Sequence, residues 1–139
     1  MPAKDLFHDV VVQALVDEGW TITDDPLWLS YGDHDFYVDL GAERSLISAE
    51  RGEQKIAVEI KTFVGRSQVY DLERAIGQYD VYRSILEELQ PDRQLYLAVP
   101  QQTYENLLTD KFGRLIVDRV RIKLIVFTPT TPSIIKWIP

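Results

Sequence analysis

The stretch that decides the fold is residues 55–62, KIAVEIKT, in which apolar side chains are interrupted by charged ones. Successive side chains of a β-strand point to opposite faces of a sheet, so Glu59 and Lys61 lie side by side on one face. Burying two charged side chains in such an apolar strand lowers the stability of the fold unless they pair with each other or belong to a functional site. The segment therefore predicts a strand that carries either a structural ion pair at a solvent-facing edge or part of a functional site.

The residues upstream predict a second carboxylate at the same place. A glycine-bearing turn separates residues 46–49 from this strand, a pattern typical of an antiparallel hairpin. Asp39 stands where the chain enters the hairpin, and an antiparallel return brings it beside Glu59. Converging carboxylates repel each other unless a divalent cation relieves the repulsion, and oxygen ligands suit Mg²⁺ or Mn²⁺. Because Lys61 could orient water or stabilise charge on a phosphate, the three residues predict a phosphodiesterase centre.

The longest predicted helix follows at residues 68–89, because apolar residues recur there every three or four positions until Pro91 ends the pattern. Gln78 and Tyr82 are four residues apart, so they project from one side of the helix, toward the sheet. Each has an ordinary alternative, since Tyr82 could be a core aromatic residue and Gln78 a capping or solvent-facing one. Their position just after the Glu59 strand favours a supporting role at the same site.

The remaining segments predict further layers around this unit. The expected elements are an amphipathic helix at residues 4–20, a short strand or irregular segment at 27–31, a strand at 94–99, a helix from Pro100, a strand at 119–127 and an apolar tail at 134–138 that packs onto the body. Because amphipathic faces must be covered by another layer, this order implies an α/β fold with a central mixed β-sheet flanked by α-helices. A chain of 139 residues has the length of one domain, residues 1–139.

Composition limits the classes of function. The chain has no cysteine, which excludes disulfides, thiol catalysis and cysteine-ligated metals and gives no sign of an oxidising compartment. It has no apolar run of about 18 residues and no signal-peptide pattern, so we expect a cytoplasmic protein that is neither exported nor membrane-spanning. The net charge of −7 argues against non-specific adhesion to nucleic acid through a globally basic surface.

One segment runs against this acidic composition. It holds the densest positive charge of the chain, at Arg114, Arg119, Arg121 and Lys123. In the strand predicted at 119–127 the last three alternate onto one face, which predicts contacts with DNA phosphates. The alternative is a solvated charged turn and strand face.

Two patterns in the chain carry family resemblances. The first pattern resembles that of the PD-(D/E)XK nucleases, including the helical Gln-x-x-x-Tyr element of their RecB-like branch. Its residues are Asp39, Glu59, Lys61, Gln78 and Tyr82. The segments GAERSLISAERGEQKIAVEIKTF (41–63) and DLERAIGQYDVYRSIL (71–86) resemble the XisH family, the cyanobacterial fdxN element excision controlling factors, over nearly the whole chain. This resemblance implies a restriction-endonuclease-like fold and a part in programmed excision of a DNA element, with a site-specific recombinase and a small companion protein.

The resemblance also implies a role for individual residues. By this resemblance, Asp39 and Glu59 would be metal ligands and Lys61 the catalytic lysine. Gln78 and Tyr82 would be a supporting pair on the following helix. Glu18, at the end of the first helix, would supply the extra acid that many relatives use for the metal. Val38 stands where the nuclease pattern has proline, a departure that removes no ligand.

Two functions stay open at this point. The first is a DNA endonuclease-like factor that uses Mg²⁺ or Mn²⁺, for which a homodimer is attractive because duplex cleavage needs two active centres. The second is a non-catalytic accessory factor whose nuclease fold binds DNA or a partner protein and controls a recombinase. The net charge of −7 supports the second, as do three candidates for an exposed interface, Ile134, Ile135 and Trp137.

Overall fold

The computed structural model describes residues 5–45 and 53–139. The helices are α1 (His8–Asp17), α2 (Gln68–Leu89), α3 (Gln101–Thr103), which continues as a π-helical turn (Tyr104–Leu108), and α4 (Lys111–Val120). The strands are β1 (Thr21–Asp24), β2 (Leu27–Tyr31), β3 (His34–Val38), β4 (Leu40–Ser45), β5 (Glu53–Ile60), β6 (Arg93–Pro100), β7 (Leu124–Thr128) and β8 (Ser133–Ile138). Among the described helices, none is both long enough and apolar enough to cross a membrane.

A six-stranded sheet with the order β1-β4-β5-β6-β7-β8 forms the centre of the molecule. Strands β5, β6 and β7 are parallel, and the pairs β1–β4, β4–β5 and β7–β8 are antiparallel. Strands β2 and β3 form a separate antiparallel hairpin. The predicted α/β class, a central mixed sheet flanked by helices, is therefore confirmed.

Each face of the sheet has its own apolar core, because β5 to β7 alternate their side chains between the two faces. One core packs α2, the π-helical turn, partly buried residues of α4 and the β2–β3 hairpin against the face that carries Ala57. The other packs α1 and Trp20 against the face that carries Ile56, Val58 and Ile60. Glu59 has the parity of Ala57, so its side chain belongs to the α2 face.

Helix α2 occupies the predicted range 68–89. Its first turn is capped by the Ser67 hydroxyl, which accepts a hydrogen bond from the Tyr70 N–H. On the core side, the buried Tyr79 hydroxyl donates to the Leu95 carbonyl at 2.9 Å and accepts from the Lys123 N–H at 3.0 Å. These bonds tie the helix to β6 and to the residues before β7.

The strand predicted at residues 119–127 is wrong in its first half. Helix α4 continues to Val120, Arg121 ends it with a left-handed φ of 60°, and β7 begins only at Leu124. Asp110 accepts a hydrogen bond from the Gly113 N–H as the helix cap. The buried and half-buried positions 113, 116, 117 and 120 recur at helical spacing, and this longer period overrides the alternation seen after residue 119.

The amino-terminal elements are also shorter than predicted. Helix α1 begins at His8 instead of residue 4 and ends at Asp17. The strand predicted at 46–49 lies outside the described residues. The antiparallel partner of β5 among the described strands is β4, with a register in which Leu40 pairs with Val58 and Ser45 with Glu53.

The carboxyl-terminal tail packs onto the body as expected, in the form of β8 paired with β7. Trp137 stacks on Trp20 with ring centroids 5.8 Å apart and meets Tyr96 edge-on at 5.1 Å. Ile134 packs against the same core, whereas Ile135 is 47% exposed. Of the three residues predicted to form an exposed interface, only Ile135 is therefore exposed.

Candidate active site

Two carboxylates meet where β4 and β5 run side by side. Asp39 lies between β3 and β4, and the register pairs its neighbour Leu40 with Val58, the residue before Glu59. The Asp39 N–H donates to Glu59 Oε1 at 3.2 Å, and the Ile60 N–H donates to Asp39 Oδ2 at 2.8 Å. Each carboxylate is thus fixed by the backbone next to the other, as the antiparallel return predicts.

Lys61 completes this group at the carboxyl end of β5. Its N–H donates to the Ala98 carbonyl at 3.0 Å, which fixes the backbone against β6. Its Nζ lies 3.6 Å from Glu59 Oε2, with a lysine side chain that is partly exposed and a glutamate side chain that is buried. Since β5 lies between β4 and β6, this pair is not at an edge of the sheet. The geometry therefore favours the functional interpretation over a solvent-facing edge pair.

The carboxyl group of Glu59 holds its proton unusually tightly. Burial, followed by the negative charge of Asp39, raises its pKa to about 8, although the ammonium of Lys61 acts in the opposite direction. The buried carboxyl is thus mostly protonated at neutral pH unless another positive charge enters the pocket.

Helix α2 covers the two carboxylates and brings Gln78 and Tyr82 to the same pocket. Burial and the charges of Glu59 and Asp39 raise the pKa of Tyr82 to about 12, so its hydroxyl stays protonated and able to donate. Gln78 Oε1 is buried without a hydrogen-bond partner. The pocket has a volume of about 290 Å³ and is lined by Asp5, Asp35, Phe36, Tyr37, Asp39, Glu59, Ile60, Lys61, Gln78 and Tyr82.

Glu18 is not among the residues that line this pocket. It lies at the end of α1, where its Oε1 accepts a hydrogen bond from Trp137 Nε1 at 3.1 Å and its carbonyl accepts from Arg44. Arg44 is near the far end of β4 from Asp39, so Glu18 is a poor candidate for the metal. Its carboxylate orients the tail strand instead.

Two acids that sequence reasoning missed do line the pocket, Asp5 and Asp35. Burial and the charge of Asp39 raise the pKa of Asp5, and its carboxylate accepts hydrogen bonds from the Phe7 N–H and the Thr62 hydroxyl. The alternation of strand side chains could have placed Asp35 on the face of Asp39. Nothing local in the sequence brings Asp5 to Thr62.

The pocket offers oxygen atoms of the type that Mg²⁺ and Mn²⁺ prefer. These are the carboxylates of Asp39 and Glu59 and the unpartnered Oε1 of Gln78. Within residues 5–45 and 53–139, no three acidic, histidine or cysteine side chains lie close enough together to form a metal cluster. The donor set fits a hard divalent cation held by two carboxylates and completed by amide or water oxygens.

The four basic residues lie elsewhere and do not form one face. Arg114 and Arg119 are exposed on α4, Arg121 caps that helix, and Lys123 is half-buried before β7. None of them lines the acidic pocket. The predicted strand face of Arg119, Arg121 and Lys123 is wrong because only the residues after it are extended.

Comparison with known proteins places the chain in a family. A family model described as "XisH protein" matches residues 1–135. The chain belongs to the XisH family. Two solved structures are similar to this XisH family chain over almost its full length. No curated protein matches it.

The first of these structures is an XisH family protein from Nostoc punctiforme PCC 73102, 37% identical, with a TM-score of 0.88, covering 97% of this chain and 100% of that one. The second is an fdxN element excision controlling factor protein from Anabaena variabilis, 39% identical, with a TM-score of 0.88, covering 98% of this chain and 100% of that one. The mixed sheet and its flanking helices are therefore shared with these two proteins.

Proposed function

We propose that this chain is a metal-dependent phosphodiesterase of the PD-(D/E)XK type that takes part in controlled excision of a DNA element. The observation that carries the proposal is the reciprocal bonding of Asp39 and Glu59, each held by the other's backbone segment, with Lys61 Nζ at 3.6 Å from Glu59. A structural ion pair needs one carboxylate, whereas a second carboxylate in a buried pocket creates repulsion that a bound cation would relieve.

The substrate follows from the family. A similar protein from Anabaena variabilis is described as an fdxN element excision controlling factor, so we propose DNA as the substrate here. We further propose a site-specific recombinase and a small companion protein as partners, and a homodimer for cuts in both strands. The restriction-endonuclease-like classification belongs to the same proposal.

Asp39 and Glu59 would hold Mg²⁺ or Mn²⁺, with Gln78 Oε1 available for a metal-bound water. When bound, the ion supplies a water of lowered pKa and neutralises charge on the scissile phosphate. Lys61 presents its ammonium beside Glu59, where it holds a water or a phosphate oxygen. The Tyr82 hydroxyl, protonated at neutral pH, is available to donate a hydrogen bond to a group bound in the pocket.

Calorimetric titration with Mn²⁺ tests the metal site. We expect one Mn²⁺ per chain in the wild type, with binding that tightens as the pH rises from about 6 to about 8, because the ion must displace the proton of Glu59. Asp39→Asn should weaken binding at least about tenfold. Glu18→Gln is the matched control, since that acid lies outside the pocket and should leave affinity unchanged. Equal loss in both variants, or no heat in the wild type, would contradict the site.

We propose that Arg114, Arg119, Arg121 and Lys123 contact DNA phosphates from the α4 side of the molecule. Each neutralised phosphate adds roughly one unit to the slope of log affinity against log salt. Changing Arg114 and Arg119 together to glutamine should therefore lower that slope by about two units, equally for all DNA sequences. Fluorescence anisotropy with two unrelated duplexes measures it, and Lys55→Gln on β5, where the lysine pairs with Glu43, is the control. An unchanged slope in the double variant would leave these cations as solvated surface.

The accessory-factor function remains the second candidate, and one observation favours it. The described part of the chain brings only two carboxylates into direct contact at the pocket and forms no three-ligand cluster. Such a pocket could bind a partner or DNA without cutting. Absence of Mn²⁺ binding in the titration above, together with DNA binding in the anisotropy assay, would establish this function instead.

A further inference from the structure

A second cavity lies at the opposite end of the parallel strands from the acidic pocket. Glu59 is near the carboxyl end of β5, whereas this cavity is lined by Arg93 and Leu95 at the start of β6 and by Lys123 just before β7. Its volume is about 570 Å³, within the range of about 300–1,000 Å³ that is usual for small-molecule sites. It shares no lining residue with the acidic pocket.

The lining of this cavity is charged with an excess of cations. The charged residues are four basic and two acidic ones, Arg83, Arg93, Arg121, Lys123, Glu87 and Asp118. Arg83 is already engaged, since it donates to the Val120 carbonyl at 2.8 Å and to Asp80 at 2.6 Å. Arg93 is engaged as well, by the Ile56 carbonyl at 2.8 Å. Among the described residues, the side chains of Arg121 and Lys123 have no such partner, so two cations are available to a ligand.

The backbone holds these two cations in place. The Lys123 N–H is bonded to the Tyr79 hydroxyl, and the carbonyls of Val120 and Arg121 both accept from Arg83. Arg121 ends α4 in the left-handed conformation, so its side chain leaves the helix at a fixed point. The backbone of both residues is therefore ordered before an anion binds, and only their side chains must lose conformational freedom.

Apart from Tyr79 and Gln94, the rest of the lining is apolar, with Leu86, Val117, Ile122 and Ile138 among its residues. An inorganic anion alone would leave this surface wet, whereas a ligand with a phosphate and a flat, weakly polar ring would use both parts. We propose that this cavity binds a nucleotide, with its phosphate on Arg121 and Lys123 and its base against the apolar residues. The nucleotide is either free or the 5′-phosphorylated end of a DNA strand.

This proposal goes beyond the phosphodiesterase function, and it assigns Arg121 and Lys123 to a single nucleotide phosphate in place of the DNA-backbone contacts proposed above for them. Binding of 2′-deoxyadenosine 5′-monophosphate by the full chain is measured calorimetrically in EDTA, so that the acidic pocket contributes no metal. We expect saturable one-site binding by the wild type. Inorganic phosphate should bind at least about tenfold more weakly, because it makes no contact with the apolar wall.

Variants separate this cavity from general positive charge. Arg121→Asn suits the left-handed conformation while it removes the charge, and Lys123→Met keeps the length of the side chain. Each should weaken nucleotide binding about tenfold, the usual effect of losing a charged hydrogen bond. Lys111→Gln is the matched control, because Lys111 is the exposed first residue of α4 and does not line the cavity. No saturable binding by the wild type, equal loss in Lys111→Gln, or full affinity in both cavity variants would overturn the proposal.

Competition distinguishes the two sources of the nucleotide. Two short duplexes of the same sequence are compared, one with 5′-phosphates and one without. If only the phosphorylated duplex displaces the mononucleotide, the site binds a DNA end. No displacement by either duplex assigns it to a free nucleotide. Equal displacement by both would show that any DNA backbone competes, and it would overturn a site built for a nucleotide.

Discussion

Asp39→Asn and Lys61→Ala are expected to abolish nicking of supercoiled DNA in the presence of Mg²⁺ or Mn²⁺, with rates at least about 1,000-fold below the wild type. Asparagine at residue 39 keeps the shape of the side chain and removes the charge that the cation needs. Alanine at residue 61 removes the ammonium that lies 3.6 Å from Glu59 Oε2 and could act on the phosphate. The measurement is conversion of supercoiled plasmid to the open-circular form over time.

Lys55→Ala is the matched control for this experiment. Lys55 lies on β5 with the same parity as Lys61, but it is near the other end of the strand, where it pairs with Glu43 at 4.0 Å. Its loss should leave nicking within about twofold of the wild type, since exposed ion pairs contribute little. Nicking that survives in Asp39→Asn would exclude the proposed centre, and equal loss in Lys55→Ala would point to a general effect of charge on DNA binding.

The sequence predicts those parts of the site that depend on strand alternation, on helical spacing and on one antiparallel hairpin. Alternation in β5 puts Glu59 and Lys61 on one face, and the helical spacing in α2 aims Gln78 and Tyr82 at it. The position of Asp39 follows because β4, the strand that begins directly after it, pairs antiparallel with β5 and so places Asp39 beside Glu59. These relations need no knowledge of distant contacts.

Asp5 and the carboxyl end of α4 mark where such reasoning stops. Asp5 reaches the pocket through the packing of α1 on the opposite core, and its contact with Thr62 spans 57 positions of the chain. No local pattern encodes a contact of that kind. Near Arg121, a helical period and a strand-like alternation overlap in the same few residues. The segment forms a helix because Asp110 caps its first turn and one side of the helix is half-buried.

The placement of Glu18 shows a related limit. A resemblance to nucleases leads one to expect an acid from the first helix, and Glu18 is the acid at the end of α1. The Glu18 carboxylate instead accepts a hydrogen bond from Trp137 on β8, a residue 119 positions later in the sequence. The acid that does reach the pocket, Asp5, lies before α1 begins, although the helical pattern at residues 4–20 had placed it inside the helix.

Glu59→Gln is expected to make the metal-free protein more stable than the wild type at alkaline pH. The pKa of Glu59 is about 8 in the folded protein and near 4.5 in the unfolded chain, so the folded state binds the extra proton between these values. Stability from this group is therefore complete below about pH 4.5 and is lost as the pH rises through 8. Glutamine mimics the protonated carboxyl and has no proton to lose.

The difference in the free energy of unfolding between variant and wild type should thus be small near pH 4.5 and grow to a plateau above pH 8, where the full shift of the pKa corresponds to about 5 kcal/mol. For a chain of this length each kcal/mol corresponds to a rise in Tm of roughly 3–5 °C. Thermal unfolding in EDTA, followed by circular dichroism at several pH values, measures it. Glu73→Gln, the same change at an exposed position of α2, should show no such pH dependence. A wild type that stays as stable as Glu59→Gln at pH 9 would mean that Glu59 ionises without cost, and the buried carboxylate pair would then have no need of a cation.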